Sequence, residues 1–156
     1  MTVAAVSDAG PIIHLAEIDS LELLAAFETL YLPETVYEEV EAGGVPGGLT
    51  DVSYELVDGD EPETGAADLD AGERAAMAVA KEREVVLLTD DLAAREAASD
   101  ADIEVHGSIG IIALGYSRGL LDKDEAASRM RALQRETSLF VTKAVVERGI
   151  RLLDEQ

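Results

Sequence analysis

VVLLTDDLAARE, residues 85–96, decides the architecture: a wholly apolar run gives way at once to Thr89, two acids and a segment of helical composition. A strand that is apolar at every position has both faces covered, the pattern of a central strand in a parallel sheet with helices on either side. The N-terminus repeats this order. Residues 3–7 (VAAVS) form a short apolar strand that runs into Ser7-Asp8-Ala9-Gly10-Pro11, and a helix is predicted to start at Pro11, where proline's fixed φ suits a first helical turn. Ile12, Ile13, Leu15, Ala16 and Ile18 then recur at helical spacing.

Outward from these two segments the same alternation continues. Ser20 is placed to cap a second short helix over LELLAAF, residues 29–32 read as a strand, and Pro33 opens the helix PETVYEEVEA, which stops at Gly43-Gly44. Residues 45–51 have turn chemistry, and residues 52–57 alternate as a strand does. The acid-rich stretch DGDEPETGAADLD, residues 58–70, is expected to be an exposed loop. Asp70 caps AGERAAMAVAKERE, whose alanines make a small-residue face for close packing. A short strand at residues 103–105 is followed by a helix beginning at Gly107-Ser108, with Ser108 as its N-cap, and residues 121–135 and 143–148 complete a helical C-terminal third. Strands alternating with helices specify a three-layer α/β/α sandwich with a mostly parallel sheet, here as one domain over residues 1–156.

Composition narrows the chemistry. With 47% hydrophobic residues in 156 the chain can bury a core, and no apolar run is long enough to span a membrane. The N-terminus lacks a basic region and carries Asp8 within its apolar stretch, so no signal peptide is predicted and the expected location is the cytoplasm. There is no cysteine, which removes disulfides, thiolate ligands and cysteine nucleophiles. Any metal must be held by oxygen ligands or by the two histidines. The net charge of −21, with little lysine, resembles the composition of halophilic proteins, in which salt screens self-repulsion. Residues 1–73 carry 18 acids and no lysine or arginine, whereas residues 74–156 carry 15 acids and 12 bases. A polyanion would therefore meet the second half, where Arg95, Arg118, Arg129, Arg131 and Arg135 lie, unless these simply pair with neighbouring acids.

Asp8, Asp90 and Asp91 each follow a predicted strand, and parallel sheets collect their ligands beyond the carboxyl ends of strands. Each has a structural alternative. Asp8 can cap the first helix, one of Asp90 and Asp91 can cap the helix that follows, and Glu73 stands three residues after Asp70 as in a capping box. Adjacent carboxylates at the end of an apolar strand still repel each other unless a cation or a helix dipole compensates. On the acidic helix of residues 34–42, Val36 and Val40 mark the buried side, which favours Glu39 over Glu38 as the inward-facing acid. His14 and His106 have no partner at ligand spacing and read as ordinary structural residues. Tyr31, Tyr37, Tyr54 and Tyr116 form no stacking cluster that would read bases.

Five segments in this order, SDAGPIIHLAEIDSLELL, LPETVYEEV, LDAGERAAMAVAKE, VVLLTDDLAARE and GSIGIIALGYSRGLL, resemble the PIN-domain superfamily and more closely its VapC-like toxin ribonuclease branch. The resemblance spans residues 3–150. It implies a PIN-like α/β/α fold and a Mg²⁺- or Mn²⁺-dependent endoribonuclease, with Asp8, Glu39, Glu73 and Asp91 as the catalytic acids. Asp8, Asp91, Asp90 and Glu73 would hold the metal, and Arg95 and Ser108 would contact the substrate phosphate. Glu73 within GER, where the commonest toxin pattern has an aspartate, and the ending Asp90-Asp91 followed by Leu92-Ala93-Ala94-Arg95 mark a distinct subfamily. The partners this implies are an RNA substrate, a separate antitoxin chain and a second copy in a homodimer. Apolar residues 21–27 and 109–114 are candidates either for a dimer face or for core. The alternative is a catalytically inactive binding module on the same fold, which the high negative charge favours. A haloacid-dehalogenase-like phosphatase needs a second aspartate two residues after the first, where this chain has Gly10, and a response-regulator receiver needs its acidic pair early in the chain.

Overall fold

In the computed structural model, which describes residues 3–58, 69–139 and 141–155, a five-stranded sheet is parallel throughout in the order β3-β2-β1-β4-β5. Its strands are β1 (Ala4–Ser7), β2 (Thr29–Pro33), β3 (Glu55–Val57), β4 (Val86–Leu88) and β5 (Val105–His106). The helices are α1 (Ala9–Glu17), α2 (Glu34–Ala42), α3 (Ala71–Arg83), α4 (Leu92–Asp100), α5 (Ser108–Ser117), α6 (Lys123–Glu136) and α7 (Lys143–Leu153). Residues Leu21–Ala26 and Gly47–Asp51 are 3₁₀ turns.

The continuous apolar strands resolve into two faces through the pleat. Ala5, Leu30, Leu32, Val86 and Leu88 face one core, with α1, α5, α6 and α7. Val6 and Leu87 face the other, with Ala76, Met77, Val79 and Ala80 of α3 and Ala94 and Ala98 of α4. Two covered faces make the three-layer α/β/α sandwich, and the alanines of α3 and α4 allow those helices to lie close to the sheet. Leu87 is 1% exposed, so truncating it to alanine is expected to cost about 2–5 kcal/mol. Among the described residues no helix is long and apolar enough to cross a membrane.

Several boundaries differ from the sequence reading, each for a local reason. The first helix begins at Ala9 rather than Pro11, because Asp8 accepts a hydrogen bond from the Ala9 N–H and caps it two residues early. Pro33 ends β2 and precedes α2 as its cap position instead of opening it. Ser20 does not cap the turn after it; its hydroxyl donates to the Ile18 carbonyl. The strand predicted over residues 52–57 shortens to Glu55–Val57, since Val52 still belongs to the close of the Gly47–Asp51 turn. The short strand predicted at residues 103–105 lies at Val105–His106. Residues 59–68 of the predicted acidic loop lie outside the described residues. Leu21, Leu23, Leu24, Phe27, Ile111 and Ile112, candidates for a dimer face, are buried within the chain's own core.

Candidate active site

β1 and β4 are hydrogen-bonded neighbours, with Ser7 opposite Leu88, so Asp8 and Thr89-Asp90-Asp91 leave the sheet side by side. The strand order reverses between these two strands, which opens a crevice at their carboxyl ends.

The Asp8 carboxylate is 6% exposed and held from two sides. One oxygen accepts from the Ala9 N–H at 2.8 Å, and the other accepts from the Thr89 hydroxyl at 2.9 Å. The Thr89 hydroxyl itself accepts from the Asp91 N–H at 3.2 Å, so one fully buried side chain links Asp8 to the backbone of Asp91. Asp91 caps α4 by accepting from the Ala94 N–H at 2.9 Å through a single oxygen.

α3 brings two further acids. Asp70 and Glu73 form a full capping box, in which the Glu73 N–H donates to Asp70 at 2.8 Å and the Asp70 N–H donates to Glu73 at 3.4 Å. α2 delivers Glu39 against the start of α3. A Cβ added to Gly72 would fall 2.9 Å from the Glu39 carboxyl carbon, so only glycine admits the carboxylate there.

The electrostatics tie these acids together. Burial pushes the Asp8 carboxyl up to about 6, with the charges of Asp70 and Asp91 adding to it against the bonds from Ala9 and Thr89. Glu73 is pushed up to about 8 by burial and by the charges of Asp70, Asp91 and Asp8. Glu39 is also raised, by burial and then by Asp70 and Asp8, while the Gly72 backbone N–H works to lower it. Asp8, Glu39, Glu73 and Asp91 therefore share one electrostatic neighbourhood.

Asp90 points elsewhere. One of its oxygens accepts from the Ser108 N–H at 2.6 Å; the other accepts from the Ser108 hydroxyl at 2.5 Å and lies 2.7 Å from His14 Nδ1. Burial alone would raise this carboxyl, but the bonds from His14 and Ser108 outweigh it and hold Asp90 below the ordinary value. Asp90 thus ties α1 and α5 to the end of β4. Ser108 is the first helical residue of α5, with Gly107 at the cap position, and it is fully buried with its hydroxyl given to Asp90. That corrects its reading as an N-cap. Arg95, half-buried on α4, lays its guanidinium over Gly107, where an added Cβ would lie 2.7 Å from the Asp90 carboxylate. His14 is satisfied by Asp90, and His106 faces Glu104 at 3.5 Å.

Sequence reasoning gave Asp70 only a capping role and Thr89 only the end of a strand. Both belong to the cluster: Asp70 through its charge on Asp8, Glu39 and Glu73, and Thr89 through its bond to Asp8. The available signals were an acid one helical turn before Glu73 and a hydroxyl ending a strand that is otherwise wholly apolar.

The donors available are carboxylate oxygens, the set that Mg²⁺ and Mn²⁺ prefer, and their mutual repulsion is what a bound cation would relieve. In chemistry the residues fit such an ion. Among the described residues no three acids or histidines are already grouped as a cation site.

A family model described as a PIN domain matches residues 4–155. Among solved structures, a PilT N-terminus domain protein from the hyperthermophilic archaeon Sulfolobus solfataricus P2 is similar at a TM-score of 0.59 and 16% identity, covering 74% of this chain and 92% of that one. At that identity the likeness is one of fold. No curated protein sequence matches.

Proposed function

Because this chain belongs to the PIN-domain family, whose members are generally metal-dependent nucleases, we propose that it is a Mg²⁺- or Mn²⁺-dependent endoribonuclease, the VapC-like toxin of a toxin–antitoxin pair. One observation carries the reading. Acids that follow β1, lie on α2 and α3 and cap α4 meet at the point where the strand order reverses, where burial, with their mutual charges adding to it, pushes Asp8 up to about 6 and Glu73 up to about 8. A fold that gathers repelling carboxylates in this way is arranged for a cation.

In this reading Asp8 and Asp91 would be the principal ligands of the ion, with Glu73 beside them as a further carboxylate donor. The bound ion would lower the pKa of a water for attack on the phosphodiester and stabilise the departing oxygen. The protein's own part is positional. Thr89 fixes the Asp8 carboxylate, the α4 cap fixes Asp91, and Glu39, seated against Gly72, would accept a hydrogen bond from the attacking water and orient it. Arg95 offers its guanidinium to a substrate phosphate from the α5 side of the crevice. Asp90 and Ser108 serve as positioning residues, since their polar atoms are engaged with each other and with His14. An antitoxin that silences the enzyme would act by covering this crevice. A homodimer would need a face other than residues 21–27 and 109–114.

The test is Mn²⁺-dependent cleavage of single-stranded RNA by the wild type and by Asp8→Asn. We expect cleavage that EDTA stops and that the variant lacks while retaining its circular dichroism spectrum. Cleavage that persists in EDTA, or an active Asp8→Asn protein, defeats the proposal. The net charge of −21, which repels RNA, favours a second reading, a catalytically inactive binding module on the same fold. Calorimetry separates the two, because the module would give no saturable Mn²⁺ heat and the nuclease would give one that Asp8→Asn removes.

A further inference from the structure

The groove between α6 and α7 carries the opposite charge to the rest of the molecule. It encloses about 500 Å³ and is lined by Arg131, Gln134, Arg135, Lys143 and Arg151 above a floor of Val146 and Ile150. Its one carboxylate, Glu147, stands 3.9 Å from Lys143 on the same helix. Acids outnumber bases 33 to 12 in this chain, so a basic side chain has many possible partners. Arg129 takes Glu22, and Lys123 takes Asp154. Among the described residues Arg131, Arg135 and Arg151 form no ion pair, as is also true of Arg95, Arg118 and Arg148 elsewhere, and what sets the first three apart is that they share one groove. Arg135 and Arg151 stand in the last turns of their helices, where they complement the helix dipoles. The dipole accounts for their position along each helix. It does not account for the gathering of both, with Arg131 and Lys143, around one cleft.

We propose that this groove binds the phosphate backbone of single-stranded RNA. Guanidinium groups match phosphate oxygens in pairs, and a row of them along a cleft follows a backbone without reading its sequence. Among the described residues the groove has no aromatic lining on which a base would stack. Its floor offers an amphipathic helix little apolar surface, because Val146 is 2% exposed and Ile150 is partly buried, both packed against the core. Charge supplies the rest of the argument: on a surface of −21 a polyanion is repelled nearly everywhere, so a strip of cations fixes where it lies. The inference uses the nuclease reading only to call the bound strand a substrate.

The experiment titrates a short fluorescein-labelled single-stranded RNA with the full chain in EDTA at low salt, reading anisotropy. Arg131→Gln/Arg135→Gln/Arg151→Gln is compared with a charge-matched control, Arg83→Gln/Arg118→Gln/Arg148→Gln. We expect the groove variant to bind at least about tenfold more weakly and to lose about two from the slope of log affinity against log salt, while the control stays within about twofold of wild type. Should the triple variant fail to fold, Arg135→Gln alone is expected to weaken binding severalfold. No binding by the wild type, equal losses in groove and control variants, or binding of polyglutamate in place of RNA overturns the proposal. Since EDTA suppresses metal-dependent cleavage, failure of the nuclease reading would appear in the Mn²⁺ assay and leave this result standing.

Discussion

Asp90 and Asp91 leave the same strand as adjacent residues and end in opposite surroundings. On the side facing α1 and α5, Asp90 is met by the Ser108 N–H, the Ser108 hydroxyl and His14, and its carboxyl is held below its ordinary value. On the side facing α3, Asp91 joins Asp8, Asp70 and Glu73, where burial and the charges of the neighbouring acids push the carboxyls of Asp8 and Glu73 up despite the bonds Asp8 receives from Ala9 and Thr89. Both side chains are partly buried and lie beyond the carboxyl ends of the same strands. Burial alone therefore does not set the charge state of a carboxyl; the balance between the hydrogen bonds it accepts and the other acids around it does.

The largest expected effect tests this division directly. Asp91→Ala is expected to lower metal-dependent RNA cleavage about 100-fold or more while costing about 1 kcal/mol in stability, the worth of a helix N-cap. Asp90→Ala leaves buried donors on Ser108 and His14 without their acceptor and is expected to cost about 3 kcal/mol by urea unfolding. Equal stability losses in the two variants would erase the distinction between the neighbours.

The pH dependence of stability sharpens the same contrast. Asp8 ionises near 3.8 in the unfolded chain and near 6 in the folded one, so between these values the folded state keeps a proton that the unfolded state has released. Stability from this group is therefore present below pH 3.8 and lost as pH rises through 6, an effect of about 3 kcal/mol. Glu73 extends the loss towards pH 8, with solvent screening reducing its share. Asp90 runs the other way: its contribution is present above pH 3.8 and disappears as the pH drops through its lowered folded value. Thermal unfolding of the metal-free protein, read as the difference between wild type and Asp8→Asn, should show wild type losing ground from pH 4 to pH 8. A difference that stays flat across that range contradicts the electrostatic account of the cluster.

A smaller effect is expected at Gly72. Gly72→Ala places a methyl group against the Glu39 carboxylate and should displace it, lowering cleavage about tenfold with little change in unfolding midpoint. Unchanged cleavage would remove Glu39 from the working set.

Much of this was readable before folding. The apolar runs at residues 3–7 and 85–88 announced covered parallel strands, and Asp70 with Glu73 announced a capping box that the structure forms in full. Ser20 and Ser108 show the limit of such reading. Both precede or begin helical turns, as caps do, yet one hydroxyl turns back to Ile18 and the other crosses to Asp90, because a hydroxyl goes to whichever acceptor the packing brings near. The candidate dimer helices illustrate the same limit, since an apolar face looks identical in sequence whether its own sheet or another copy covers it.

The sequence by itself determined the alternation of strands and helices, the placing of acids where strands end and the division of the chain into a highly acidic first half and a nearly balanced second. Only the tertiary structure decided that Asp8 would be held by Thr89, 81 residues away, and Asp90 by His14, 76 residues away. Backbone pattern is local and leaves its period in the chain, whereas the charge state of a carboxylate depends on which donors and which other acids share its few ångströms of space, and these arrive from distant segments.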